Sequence, residues 1–449
     1  MSLCNVLYVD PFNGVFIRMK MKKELFCIIF FLISNIILAQ NIVLKGYVLK
    51  DSTNSPIIYA NIAIKGNPLG VSSNEAGEFC FYFSDNYIND TLSVSAIGYE
   101  SYECLVNEVC NKDSLVIILK EKVYELQDVF VFPDEKLKDI INNVTKNLKR
   151  NYPNRKHLLT GFYRELVLKD NSYTRLIEAA VDIQKPGFYS NEKSLIRVNE
   201  LRKSDSYIEY DWKSRIFNKM FGEQNLLYST LGADIIQYHN KSFKTKYIFT
   251  KDFIDFYDFV LENITMSDSV RIFKIRFFEK ALTEGDFSAI QNYWIWVRED
   301  NYAVIKYDFK IQILKNFDTY KTVNIGENYI YAESVYYKEY NNRYYPYLLE
   351  YSRLINAKGA DENTGKGKQY MKSTLLINNI VTKRSDEYEK VKKKLSSPAD
   401  VDLYNQYYKY NPEFWSNYNI LKLNPLYKQV RSDIGKEKSL EEQFIENGK

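Results

Sequence analysis

Two histidines, five cysteines and scattered carboxylates are what this 449-residue chain chiefly offers to metal or acid–base chemistry. His157 stands in KHLLTGF and His239 in QYHNKSF, with Thr160 and Ser242 three residues beyond them. The pairing of His and Glu on one helical face that binds zinc in peptidases is therefore missing. The sequence contains no CxxC pair, no G-x-S-x-G elbow, no P-loop and no G-x-G-x-x-G. Both histidines read as structural or surface residues, and no catalytic residue, metal ligand or cofactor is assigned.

The densest acidic group is in FFEKALTEGDFSAI, where Glu279, Glu284 and Asp286 gather near a turn. Two carboxylates at a suitable separation perform glycoside hydrolysis. In an edge loop such charges ordinarily keep the surface soluble, and this plainer reading is preferred.

Aromatic strands are the stronger lead. YWIWVRED, VYYKEY and RYYPYLLEY present flat apolar rings with polar tips, the chemistry of a sugar or acyl-chain cavity. The candidate ligand-facing residues are Tyr293, Trp294, Trp296, Tyr307, Tyr336 and Tyr345. The same alternation also serves a packed core, so both readings stand at this level.

A third candidate, GVSSNEAGEF at residues 70–79, has the glycines and small polar residues of a phosphate cradle. Such a cradle leads from a strand into a helix, where free N–H groups meet the anion. Here Phe79, Phe81 and Phe83 alternate after the turn, so the stretch leads into a strand. Gly77 is expected to supply a positive φ, and Asn74 to bond its own backbone.

The elements that must position these residues fall into five parts. Residues 1–40 read as an upstream extension plus a signal peptide: Lys20, Lys22 and Lys23 precede an apolar run from Leu25 to Leu38, then Ala39. Translation is expected to start at Met19 or Met21, and Cys27 lacks the surroundings of a lipobox. Removing the segment takes the net charge from +4 to +2, because it holds Arg18, Lys20, Lys22 and Lys23 against Asp10 and Glu24. That balance gives no reason to expect nucleic acid. KVKKKL, residues 390–395, reads as a solvated helix face.

The exported chain keeps Cys80, Cys104 and Cys110, which permits one disulfide, best placed between Cys104 and Cys110, or none. With 16% aromatic residues, 17 Gly and 10 Pro, the composition favours long paired strands. Residues 41–122 read as about seven short strands in a small antiparallel sandwich. Residues 123–157 hold a linker and one amphipathic helix, with Leu137, Ile140, Ile141, Val144 and Leu148 at 3/4 spacing and Asp134 as cap. Residues 158–383 read as a large, curved, mostly antiparallel sheet or open half-barrel, interrupted at 217–239 by one or two helices. Residues 384–449 read as a helical and aromatic segment closing the sheet's open edge, with a capping box from Ser439 to Glu442.

The motifs Gly46-Tyr47-Val48, Asp51, Pro56, YANIAIKG, GVSSNEAGEF and LSVSAIGYE occur in the order found in the carboxypeptidase regulatory-like family, a transthyretin-like sandwich. The first domain resembles that family, with Ser73-Asn74 where the family usually has Thr-Asp. The resemblance implies a non-catalytic module that accompanies peptidases and outer-membrane transporters. GFYRE at 161–165 and AIQNYWIWVREDNYAVIKYDF at 289–309 resemble strands of Gram-negative envelope proteins and of lipoprotein-carrier-like half-barrels.

The expectation is a mainly β, exported, non-enzymatic binding protein of the periplasm or outer membrane. In that reading the sandwich positions it, and the aromatic sheet takes a lipid, lipoprotein segment or glycan. The alternative is an assembly factor for an outer-membrane partner, its interior filled by its own side chains. A glycosidase acting through residues 279–286 is the third reading.

Overall fold

The computed structural model describes residues 4–9, 16–21, 41–122, 133–169, 172–188, 190, 192–207, 226–238, 248–280, 289–313, 329–356, 368–382, 391, 394–422 and 426–449. Met1–Ile42 with Ser84–Asn86 forms one compact unit, and Val43–Phe83 with Tyr87–Lys449 the other. In the first, β1 (Cys4–Val9) and β2 (Phe16–Met21) pair antiparallel, with Cys4 opposite Met21. The apolar run of the expected export signal, 25–38, lies outside the described residues.

The second unit begins with the sandwich. One sheet has the order β6 (Glu78–Ser84), β3 (Asn41–Lys50), β9 (Leu115–Leu119). The other has the order β5 (Gly70–Ser72), β4 (Asn61–Ile64), β7 (Thr91–Ser95), β8 (Tyr102–Leu105). Leu44, Val48, Phe79 and Phe81 from the first sheet and Ile62, Ile64, Leu92 and Val94 from the second are fully buried. The seven strands agree with the sequence, but the β3–β9 pair is parallel, Gly46 opposite Leu115. A Cβ on Gly46 would run into the Leu115 carbonyl, so glycine permits this close approach.

The GVSSNEAGEF turn forms as its residues require. Gly77 has φ +73°, and the Asn74 carboxamide oxygen accepts from the N–H groups of Ala76 and Glu78, both at 2.9 Å. Of the two states the sequence allowed, the structure has the one without a disulfide: Cys104, Cys110 and buried Cys80 are free thiols. The single helical turn Val106–Val109 separates Cys104 from Cys110, and the Cys110 thiol is turned to the Asn107 carbonyl, 3.7 Å away.

Beyond the sandwich, helix Asp134–Asn151 forms where the 3/4 pattern placed it. Pro133 is its N-cap and makes no side-chain cap bond; Asp134, expected as the cap, is the first helical residue, where its charge still favours the helix N-terminus. Leu137, Ile140, Ile141, Val144 and Leu148 are all buried.

Ten antiparallel strands form the large sheet, and the sheet does not close into a barrel. They are β10 (His157–Lys169), β11 (Ser172–Lys185), β12 (Leu195–Lys203), β13 (Tyr257–Ser267), β14 (Val270–Glu279), β15 (Ala289–Arg298), β16 (Val304–Ile313), β17 (Tyr329–Tyr340), β18 (Arg343–Asn356) and β19 (Lys368–Val381). The order is β12-β11-β10-β19-β18-β17-β16-β15-β14-β13, so the chain crosses to the far edge after β12 and returns until β19 pairs with β10. The segment expected at 217–239 contributes helices Leu226–Gly232 and Ile235–Tyr238.

One face of this sheet packs on helix Asp134–Asn151. Ile141 and Val144 join Leu227, Leu231 and Ile235 in one core with Tyr163, Phe277, Tyr293, Tyr307 and Phe309 of the strands. Each of the five stripe residues contributes about 1.5–3 kcal/mol of burial, enough to hold a helix with little stability of its own.

The C-terminal segment covers the opposite face. Trp415, on the short helix Pro412–Asn417, and Leu421 pack with Phe162, Leu348 and Leu376. The sequence placed this aromatic stretch at the sheet's open edge; its rings have instead found an apolar face. The β12 edge is met by a bridge between Ile196 and Ser396. Helix Leu440–Glu446 opens with the expected capping box, the Glu442 N–H donating to Ser439 Oγ at 3.2 Å.

Candidate functional site

The six candidate aromatics divide between the two faces. Tyr293, Tyr307 and Tyr345 point into the packed core, each no more than 3% exposed. Tyr293 is stacked between Phe277 and Phe309, with centroids 4.9 and 4.6 Å away. Tyr345 meets the His157 ring edge-on at 5.2 Å. Burial pushes the Tyr307 hydroxyl well above its ordinary pKa, so it stays neutral.

Trp294, Trp296 and Tyr336 stand on the outer face. Cross-strand register aligns Trp296, Lys306 and Tyr336 in one row. The Lys306 ammonium sits 4.3 Å from the Trp296 ring and 4.8 Å from the Tyr336 ring, and Lys274 lies 5.4 Å from Trp296. Trp294 Nε1 donates to Glu262 Oε1 at 3.0 Å. The six residues therefore divide three to each face of the sheet, and only Trp296 and Tyr336 are brought together, around Lys306.

Of the acidic group, Glu279 ends β14 opposite Tyr257, while Glu284 and Asp286 lie outside the described residues, as does His239. His157 is buried, its Nδ1 3.1 Å from the Arg155 carbonyl oxygen. Burial pushes its pKa down to about 4, which keeps the ring neutral near pH 7. His157, Lys185, Asp234, Gln237, Tyr152 and Tyr337 line a cavity of about 20 Å³, room for a single water molecule. Lys185 and Asp234 pair there, and the Tyr337 hydroxyl donates to Asp234 at 2.8 Å. Two buried polar atoms of residues in this lining, His157 Nε2 and Gln237 Oε1, lack a hydrogen-bond partner. Among the described residues no group of three or more His, Cys, Asp or Glu is placed to hold a metal ion.

A polar seam runs where the sandwich meets the outer face of the large sheet. Tyr59, held at φ +59°, donates from its hydroxyl to Glu350 Oε1 at 2.6 Å, and its carbonyl accepts from the Tyr347 hydroxyl at 3.0 Å. Lys372 bridges Glu350 at 3.0 Å and Glu75 of the turn at 2.8 Å. Burial opposes the Lys372 charge, but Glu350, Tyr59 and Glu75 outweigh it and hold the pKa well above the ordinary lysine value.

The C-terminal segment stitches the other side. Asn74 Nδ2 donates to the Lys422 carbonyl at 3.1 Å, and the Lys422 ammonium meets Glu78 at 3.0 Å. Asn419 accepts from the Tyr82 N–H at 2.7 Å and donates to the Tyr82 carbonyl at 2.9 Å, as a neighbouring strand would. Pairing the buried Lys372 with Glu350 and Glu75, and Lys422 with Glu78, makes such a polar interface tolerable.

Sequence reasoning missed the seam residues Tyr59, Glu75, Lys338, Glu350 and Lys372. The available signal was a charge inside an aromatic strand, as with Lys338 in VYYKEY and Glu350 in YLLEYS. The partners come from distant parts of the chain, which no local pattern reveals.

Comparison with known proteins agrees with the sandwich. Residues 44–131 match the family model of the CarboxypepD_reg-like domain, so the chain carries such a domain there. It is also 34% identical over 118 residues to the TonB-dependent receptor SusC of Bacteroides thetaiotaomicron, a match covering 25% of this chain and 11% of the receptor. The chain thus spans about a tenth of that relative's length. Among solved structures, a domain assigned to outer membrane lipoprotein sorting from Vibrio parahaemolyticus overlaps 57% of this chain and 98% of its own at 10% identity and a TM-score of 0.26. A LolA superfamily protein from Nitrosomonas europaea overlaps 56% of this chain and 94% of its own at 8% identity and a TM-score of 0.22.

Proposed function

We propose that this is an exported, non-enzymatic protein of the cell envelope that works as a scaffold or assembly factor, its sandwich fixed rigidly to the large sheet. One observation carries the choice over a lipid or glycan carrier. The helix-covered aromatic face is occupied by the protein's own rings, with Tyr293 fully buried between Phe277 and Phe309. Ligand sites ordinarily offer several hundred cubic ångströms; among the described residues, the pocket at Tyr152 and His157 offers about 20 Å³.

Export is supported by the basic and apolar run at 19–40. Envelope placement is supported by a CarboxypepD_reg-like domain, whose family accompanies outer-membrane transporters, and by likeness to part of a TonB-dependent receptor. The non-enzymatic reading rests on a buried, neutral His157 and on charged groups tied up in the seam. The test is titration of the full chain with an environment-sensitive acyl probe, with palmitate as competitor. No saturable, palmitate-displaceable binding is expected; such binding at micromolar probe would overturn the reading.

A further inference from the structure

Lys338 is the exception to the charge pairing of the seam. It projects from β17 on the same face as Tyr336, beneath the sandwich, and is 8% exposed. Its ammonium donates to the Pro68 carbonyl at 3.1 Å. Among the described residues no carboxylate comes within ion-pair distance of it, whereas Lys306, Lys372 and Lys422 are each paired. An ammonium carries three N–H donors, and Pro68 takes one. Burial, with no opposing charge, pushes its pKa down to about 8.

The hairpin backbone comes close to this group. Gly70 begins β5 at the end of the Pro68 hairpin, and a Cβ built there would lie 3.1 Å from Lys338 Nζ. Any larger residue would press on the ammonium and its free donors. Lys306, opposite Tyr336 across the strands on the same face, is by contrast neutralised by Asp308 at 2.9 Å.

We propose that Lys338 and the Pro68–Gly70 hairpin form a binding site for an oxyanion, the carboxylate or phosphate group of a small ligand. A buried cation without a counter-ion costs stability, and a bound oxyanion supplies the missing charge and accepts the donors that Pro68 leaves. The simpler alternative, a lysine serving only to tie the hairpin to the sheet, predicts different behaviour on substitution. The site stands apart from the scaffold reading and does not depend on it.

The test uses the full chain at pH 7 and constant ionic strength, titrated calorimetrically with inorganic phosphate and with glucuronate. Saturable binding of one or both is expected, weakened at least tenfold in Lys338→Met, and the anion that binds identifies the group. Lys338→Met without added anion should also melt at a higher temperature than the parent. Gly70→Ala keeps the lysine but fills the space beside it, and should weaken binding at least tenfold. Absence of binding, equal binding by parent and variants, or a lower melting temperature for Lys338→Met without any anion effect would overturn the proposal.

Discussion

The Tyr59 hydroxyl of the sandwich donates to Glu350 of the large sheet across 2.6 Å and 291 positions of sequence. Burial, followed by the nearby Glu350 charge, raises the Tyr59 pKa well above its ordinary value, so the hydroxyl remains a donor under physiological conditions. This one bond joins two sheet systems that could have been independent domains. With Lys372 and Glu75 it makes their relative placement part of the fold.

Tyr59→Phe should therefore cost about 1–3 kcal/mol, because Glu350 keeps its burial and loses a donor. Urea unfolding followed by tryptophan fluorescence should show a lower midpoint. The parent should unfold in one transition, and a variant with a weakened seam should begin to separate into two. An unchanged midpoint would mean that the seam contributes nothing to stability.

The turn that carries Glu75 has its own requirement. Gly77→Ala places a Cβ 2.6 Å from the Val48 carbonyl oxygen at a residue with φ +73°, and should cost about 1–3 kcal/mol. Asn74→Ala removes the acceptor for two backbone N–H groups and the donor to Lys422, with a loss of similar size. Thermal melts of the two variants check this, and either one melting with the parent would contradict the local account.

Acid should expose the buried His157. Burial lowers its pKa from 6.5 to about 4, partly offset by the Arg155 carbonyl. Above pH 6.5 the imidazole is neutral in folded and unfolded chains and contributes no pH dependence. As pH falls from 6.5 towards 4 the unfolded chain binds a proton that the folded chain does not, so stability declines, by about 3 kcal/mol in all. The stability difference between the parent and His157→Gln should shrink across that window. Parallel pH profiles would show that the ring is not held neutral.

Much of this architecture was legible because the decisive patterns are local. The stripe from Leu137 to Leu148 required a helix with one buried face, and Gly77 with Asn74 required a turn leading into a strand. Which aromatic face lies inside was not legible. Neighbours such as Tyr293 and Trp294 are both aromatic, so period two marks two faces without naming the buried one. β12 escaped notice because charged Arg197 and Arg202 stand where apolar residues were sought; they pair with Asp182 and Glu178 of β11. The seam was hidden for a different reason: Tyr59, Glu350 and Lys372 acquire their meaning only when the two sheet systems meet.

Closure of the aromatic face by helix Asp134–Asn151 is the centre of the account, and native mass spectrometry of the protein isolated from its own envelope in mild detergent tests it most directly. The predicted spectrum is the mass of the processed chain alone, with no lipid recovered on solvent extraction. A stoichiometric adduct in the mass range of a phospholipid or acylated glycan, retained after detergent is stripped, would contradict it.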